Sequence, residues 1–269
     1  MNSPIKYYGG KSYMTDIILA HQPKNFDVYI EGFGGGASVL FAKPKSPIEI
    51  YNDLGENVYS LFKCLVDEEL FKELKHKLDL TPYSAQLRDE YKEDLKYQLP
   101  LLERAYRYLY VNRTSFNSVG GFSTNLIVRR NMSKSTSDYL SMIDGLYEVH
   151  NRLSSVIIEH RDILDLIDKY DAENVWFYLD PPYVHSTRSS STMYEHEMTD
   201  EDHVRLIERI QESKGKFLIC GYDNPLYELP NFHKYSYPSP NSSSDRIETI
   251  WWNYECNEEV TLQQVELFL

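Results

Sequence analysis

The sequence predicts an α/β fold: a mostly parallel sheet, an antiparallel terminal hairpin, and a helical subdomain set into the chain. Three observations predict it. Short apolar, β-branched runs alternate with stretches of helical period, as expected of parallel strands joined by helices. The last two runs, at about 234–237 and 247–254, read as the terminal hairpin. Between about 60 and 150 the alternation stops and helical and loop-like sequence takes over. The chain of 269 residues is long enough for one large domain, or one carrying a sizeable insertion.

Taken in order, Val28-Tyr29-Ile30 runs into Glu31 and a glycine cluster, and Ile48-Glu49-Ile50-Tyr51 runs into Asn52-Asp53. Helical patterns follow over about 56–78, 99–111 and 139–153; in the second, Leu102, Tyr106, Leu109 and Tyr110 fall at helical spacing. Val156-Ile157-Ile158 leads to Glu159-His160-Arg161-Asp162, and Val175–Leu179 leads to Asp180. Thr199-Asp200-Glu201-Asp202 reads as a capping-box start for a helix whose apolar face is Leu206, Ile207 and Ile210. Lys216–Cys220 supplies a further strand before Gly221-Tyr222. The Ser/Thr-rich stretch 185–197 reads as a loop that orders on ligand binding.

Composition narrows the function classes. No run of 18 apolar residues is present, and the N-terminus lacks a signal peptide's apolar core. Cys64, Cys220 and Cys256 are scattered and odd in number, which suits reduced thiols in the cytoplasm and no structural metal. The net charge of −13 opposes bulk attraction to nucleic acid. Yet Arg104, Arg107, Arg113, Arg129, Arg130 and Lys134 lie in a stretch without Asp or Glu, rich in Asn, Ser, Thr and Tyr. A local basic patch in an acidic protein suits selective contact with a polyanion; an ordinary solvated face is the plainer reading. The 23 tyrosines read mostly as half-buried packing residues.

The chemistry gathers at the strand ends. Gly32-Phe33-Gly34-Gly35-Gly36-Ala37 lets backbone approach a ligand closely, and Asp53, 21 residues after Gly32, suits a ribose diol. A dinucleotide and S-adenosyl-L-methionine fit that loop about equally. Glu31, Asp53, Asp162 and Asp180 then favour the second, because clustered carboxylates repel a pyrophosphate and attract a sulfonium and an ammonium. Asp53 and Asp162 also read as helix N-caps. Asp180-Pro181-Pro182-Tyr183 delivers a carboxylate, two rigid prolines and a ring to the end of a buried strand. Such a cluster accepts from an exocyclic amine and stacks on its ring; a plain turn is the alternative.

These residues resemble the Dam-type (D12 class) DNA adenine-N6 methyltransferases, over most of the chain and in motif order. Lys6-Tyr7-Tyr8-Gly9-Gly10-Lys11 is similar to the N-terminal Lys-Trp-x-Gly-Gly-Lys motif, with Tyr8 beside the glycines. Glu31–Ala37 and Asn52-Asp53 are similar to the next two motifs, and Asp162 stands where the family places an acid on the cofactor's adenine. Asn112-Arg113-Thr114-Ser115-Phe116-Asn117 resembles the recognition element Asn-Arg-x-x-Phe-Asn, Asp180–Tyr183 the catalytic motif, and Arg246-Ile247-Glu248 the late Arg-x-Glu. The hairpin expected over 118–125 departs from the Gly-Leu-x-Arg-x-Asn of GATC-specific members.

The resemblance implies a Rossmann-like S-adenosylmethionine-dependent methyltransferase sheet (1–58 and 150–260), a target-recognition subdomain (59–149) and a tail (261–269). It implies methyl transfer to adenine N6 in double-stranded DNA, without a metal. Asp180, Pro181, Pro182 and Tyr183 would be catalytic. Tyr8, Lys11, Glu31, Phe33, Gly34, Asp53, Asp162 and Asp180 would hold the methyl donor. Lys6, Arg113, Asn117, Arg129, Arg130 and Lys134 would meet DNA. RNA methylation, cytosine-N4 methylation and a silent DNA-binding module are the rivals; Asp180 rather than Ser opposes the second, and the intact acidic set opposes the third. The final Gln264-Val265-Glu266-Leu267-Phe268 resembles the peptide that docks on the bacterial sliding clamp, through Gln264, Leu267 and Phe268.

Overall fold

The computed structural model describes residues 1, 3–7, 9–118, 120–184, 196–238 and 247–256. In chain order its elements are α1 (Thr15–Ala20), β1 (Val28–Glu31), α2 (Ser38–Ala42), β2 (Ile48–Asn52), α3 (Glu56–Val66), α4 (Glu68–Asp79), α5 (Ala85–Asp94) and α6 (Leu101–Thr114). A small hairpin, β3 (Val128–Arg129) and β4 (Met132–Ser133), precedes α7 (Lys134–Asp144) and α8 (Leu146–Leu153). Then come β5 (Val156–Glu159), α9 (Ile163–Tyr170), β6 (Val175–Leu179), α10 (Asp200–Gln211), β7 (Lys216–Tyr222), β8 (His233–Pro238) and β9 (Ile247–Trp252).

Seven strands form one sheet in the order β5-β2-β1-β6-β7-β9-β8. The pairs β2/β1, β1/β6 and β6/β7 are parallel, with Val28 opposite both Ile48 and Val175. The pairs β7/β9 and β9/β8 are antiparallel, which gives the terminal hairpin. The chain leaves β1 for β2 on one side and later returns as β6 on the other. That reversal makes the carboxyl ends of β1 and β6 a topological switch point, where open α/β sheets bind ligands.

The chain divides into two compact units. One comprises 12–34, 43–54 and 159–269; the other comprises 1–11, 35–42 and 55–158. In the first, Ile30, Ile50, Phe177, Leu179, Phe217, Ile219 and Trp251 pack against Leu166 and Ile167 of α9 and Leu206, Ile207 and Ile210 of α10. Every residue of β6 is buried, as befits a central strand covered on both faces. Thr199 caps α10 in a full capping box with Asp202, as its sequence predicts.

The second unit is mostly helical. Its core includes Phe71, Leu74, Leu78, Leu109 and Tyr110, beside a cluster in which Tyr91 meets Tyr106 and Tyr110, and Tyr139 meets Tyr83 and Tyr110, with centroids 5.3–5.6 Å apart. Several boundaries differ from the sequence expectation. The helix expected over 56–78 is two, because Asp67 adopts an extended backbone and its side chain accepts from the Glu69 and Leu70 amides, starting α4 afresh. The helix expected over 139–153 begins at Lys134, capped by Ser133, and breaks at Gly145. At the hairpin expected over 118–125, Ser115 and Phe122 form an antiparallel bridge and the Phe116 amide donates to the Gly121 carbonyl at 2.8 Å, and a further hairpin that the sequence did not announce lies at β3–β4. There Arg130 and Asn131 have φ of 53° and 59°, the conformation of a two-residue type I′ turn. Among the described residues no helix is long and apolar enough to cross a membrane.

Candidate active site

In the first unit, three adjacent parallel strands end in acids. Glu31 closes β1, Asp53 follows β2 and Asp180 follows β6. Glu31 is buried and accepts a hydrogen bond of 2.8 Å from the Tyr29 hydroxyl. The loop leaving β1 is tied to its neighbours: the Gly32 amide donates to the Tyr178 carbonyl (3.0 Å) and the Gly34 amide to the Asn52 carbonyl (2.8 Å). The Asn52 amide side chain donates to the Gly32 and Arg161 carbonyls and accepts from the Arg161 amide, so one residue holds three chain segments together. Gly34 needs to be glycine, because a Cβ there would enter the Tyr51 ring. Bare backbone in front of paired acids suits a cationic ligand and opposes a pyrophosphate.

Asp53 is buried, and Gly55 rather than Asp53 caps α3. Asp162 is exposed and its side chain caps α9 through the Leu164 amide at 2.9 Å, so the N-cap reading applies to it. Phe33 is half-buried.

Asp180 and Tyr183 are half-buried and Pro181 and Pro182 buried. The Tyr183 hydroxyl donates to Oε2 of Glu248 at 2.9 Å, and the Tyr13 hydroxyl donates to Oε1 of the same carboxylate at 2.9 Å. Tyr222 packs edge-on against Tyr183, with centroids 4.6 Å apart. Burial, then the Asp180 and Glu248 charges, push the Tyr183 phenol well above its ordinary value. Burial and Glu248 do the same to Tyr13. Both phenols therefore stay protonated and act as donors.

In the second unit, Lys11 is buried and its Nζ donates to the Gly9 carbonyl at 3.0 Å. The Tyr7 ring covers Gly35, which has φ of +47°, and the buried Ala37 also stands in the left-handed region at 54°. A non-glycine residue there stores backbone strain of the kind found at ligand sites. The Asn112 side chain clamps Lys6 through its backbone, accepting from its amide (3.0 Å) and donating to its carbonyl (2.8 Å). This brings Lys6 beside Arg113, and burial pushes both below their ordinary values, with Arg113 adding to the effect on Lys6.

The basic patch is more neutral than its sequence suggests. Asp138 binds both Arg129 and Lys134 at 2.7 Å. Arg107 pairs with Asp94, and Arg104 is buried on Asn57 and the Tyr97 carbonyl. Arg130 is exposed and donates to Ser141. Asn117 is exposed at φ 48°.

A profile of the family described as D12 class N6 adenine-specific DNA methyltransferase matches residues 7–242. The chain belongs to this family. Its relatives agree. Type II methyltransferase M.MjaIII of Methanocaldococcus jannaschii is 26% identical over 262 residues, 86% of this chain and 89% of that protein. Type II methyltransferase M.CviBI of Paramecium bursaria Chlorella virus NC1A is 24% identical over 242 residues, 85% and 86% of the two chains. Modification methylase StsI of Streptococcus sanguinis is 25% identical over 208 residues, 70% of this chain but 30% of its own length. The methyltransferase thus acts on adenine N6 of DNA with S-adenosylmethionine as donor, on a Rossmann-like sheet.

Of the residues singled out in this methyltransferase's sequence, the first unit brings together Glu31, Phe33, Gly34, Asp53 and Asp180–Tyr183 around the strand ends, with Asp162 on the adjoining helix cap. The second unit gathers Lys6, Arg113, Arg129 and Lys134 around Asp138. Tyr8, the stretch 185–195, Arg246 and the tail with Gln264, Leu267 and Phe268 lie outside the described residues. Sequence reasoning did not single out Tyr13 or Arg88, and it quoted Tyr7, Asn52 and Glu248 within motifs without giving them a role in the site. Arg88, buried on α5, holds the loop that follows α6 by donating to the Ser115 hydroxyl and the Gly120 carbonyl. Tyr7 carried a usable signal, since it occupies the aromatic position of the Lys-Trp-x-Gly-Gly-Lys pattern.

Proposed function

We propose that the enzyme methylates an adenine drawn out of double-stranded DNA into the site at Asp180–Tyr183. An adenine inside the stack is held flat in its base pair and cannot bring N6 into the site at Asp180 with its lone pair aimed at the donor, so extrusion must precede transfer. The Asp180 carboxylate and the Pro181 carbonyl accept the two N6 hydrogens. Those bonds draw the nitrogen lone pair out of conjugation and aim it at the methyl carbon. Tyr183 stacks on the extruded ring, a contact of roughly 1–3 kcal/mol in comparable base–aromatic pairs. S-adenosyl-L-methionine supplies the methyl group in a single displacement: the N6–carbon bond forms as the carbon–sulfur bond breaks, and the proton lost from N6 passes to Asp180. Catalysis then rests on positioning and electrostatics rather than on a covalent nucleophile.

Glu31, Phe33, Gly34, Asp53, Asp162 and, by their motif, Tyr8 and Lys11 hold the donor; the acids are matched to its positive charges. Residues 59–149 form the recognition part, and Lys6, Arg113, Asn117, Arg129, Arg130 and Lys134 meet the DNA. The observation that carries this reading is the emergence of Asp180-Pro181-Pro182-Tyr183 from β6, next to the acid and glycine loop that end β1. Its test is Asp180→Ala, assayed by tritium transfer to unmethylated DNA and by binding of S-adenosylmethionine. Transfer should fall at least a thousandfold while donor affinity stays within a few-fold; a nearly active variant overturns the assignment.

A further inference from the structure

We infer that Glu248 is a positioning residue for the reaction, fixing the long axis of the Tyr183 ring through its hydroxyl. The inference rests on the placement of the target base against Tyr183. The Cβ–Cγ axis of a tyrosine runs through its hydroxyl oxygen. A hydrogen bond at that oxygen therefore stops the ring from tilting but leaves rotation about the axis free. The structure restrains both motions separately. Glu248 Oε2 accepts from the Tyr183 hydroxyl at 2.9 Å, and Tyr222 packs edge-on against the ring with an interplanar angle of 72°. Tyr222 and Glu248 are cross-strand partners in the β7/β9 register, so one rung of the sheet carries both restraints.

The carboxylate is itself well fixed. Glu248 is 3% exposed on a strand paired on both sides, with Tyr222 across one ladder and Tyr237 across the other. Its second oxygen accepts from Tyr13 at 2.9 Å. Tyr13 and Tyr183 thus bracket one acceptor, and neither competes for the oxygen used by the other. A carboxylate is the side chain that can accept from two hydroxyls in this way; an amide offers one oxygen. Hydrogen bonds to a charged acceptor are also stronger than neutral ones. A stacking ring that must receive a planar base gains from being held before the base arrives, because less freedom is then lost in the complex.

The test is a double-mutant cycle on the full chain, read as kcat for tritium transfer, with KM for S-adenosylmethionine and the thermal melting midpoint measured on each variant. Glu248→Ala and Tyr183→Phe should each lower kcat by about tenfold, the size of one charged hydrogen bond, with KM for the donor within twofold. Combining them should cost no more than the worse single change. Glu248→Gln should lose less than Glu248→Ala, and nothing further in the Tyr183→Phe background; it carries the cycle if Glu248→Ala does not fold. Equal losses in the two backgrounds would mean that Glu248 acts as a structural residue and would overturn the inference, as would unchanged kcat in Tyr183→Phe. Tyr183→Ala separates the underlying reading: full activity there removes the stacked base itself, whereas a loss far beyond that of Tyr183→Phe keeps it.

Discussion

Asp138 accepts from Arg129 and Lys134 together, so two cations assigned to DNA already have an anionic partner. A phosphate must compete with that carboxylate. The pairs are partly exposed, and pairs of this kind are worth about 0–1 kcal/mol each. Asp138→Asn should therefore tighten DNA binding by about threefold, equally for all sequences, and steepen the dependence on salt. Fluorescence anisotropy across a salt series checks this; unchanged affinity would mean that these cations face away from the DNA. At this scale the sequence points to the residues proposed for the chemistry and hides their partners. Asp180 and Tyr183 announce themselves because two prolines fix them after an apolar run. Glu248 stands in a motif, but its role is not readable there, since its contacts to Tyr13 and Tyr183 span 235 and 65 residues and depend on the order of strands.

The glycine loop shows what an element demands of its residues. Gly34 sits against Tyr51, with its amide bonded to Asn52 and no room for a methyl group. Gly34→Ala should cost about 1–3 kcal/mol of overpacking, in stability or in donor affinity as the loop shifts. Calorimetry of S-adenosylmethionine binding and a melting curve on the same variant separate the two; a variant unchanged in both would show that Tyr51 moves aside freely. Elements with a local signal were readable, as with the Thr199 capping box. Where the signal was absent, the reading failed. On α5 only Arg88 is buried, so it carries no apolar stripe, and the break at Asp67 depends on one cap within a continuous helical pattern.

At the scale of the whole molecule, Glu159 couples folding to pH. Burial raises its carboxyl, but hydrogen bonds from Lys169, Tyr170 and Arg161 outweigh this and hold it at about 2, below the ordinary 4.5. A depressed carboxylate contributes stability that is fully present above the unfolded value and is lost as pH falls through the folded one. Glu159→Gln should cost roughly 1–3 kcal/mol at pH 7. The gap to the parent should narrow below about pH 4.5 and close near pH 2. Urea midpoints over that range check it, and a pH-independent gap would assign the loss to packing. The α/β class and the terminal hairpin were legible from alternating patterns. The division into units was less so, because each is assembled from three separate segments.

With target recognition placed in the second unit as proposed, that interleaving limits how target choice can evolve by exchange between relatives. Only 55–158 is an unbroken block of the second unit; 1–11 and 35–42 come from elsewhere in the chain. A recombination event that moved the block would carry Arg113, Asn117, Arg129, Arg130 and Lys134 together and leave Lys6 with the recipient. Asn112 grips position 6 through backbone atoms alone. An incoming block would find its anchor through the backbone at position 6 and would inherit the recipient's side chain there, as part of its DNA surface if the proposed assignment of Lys6 holds.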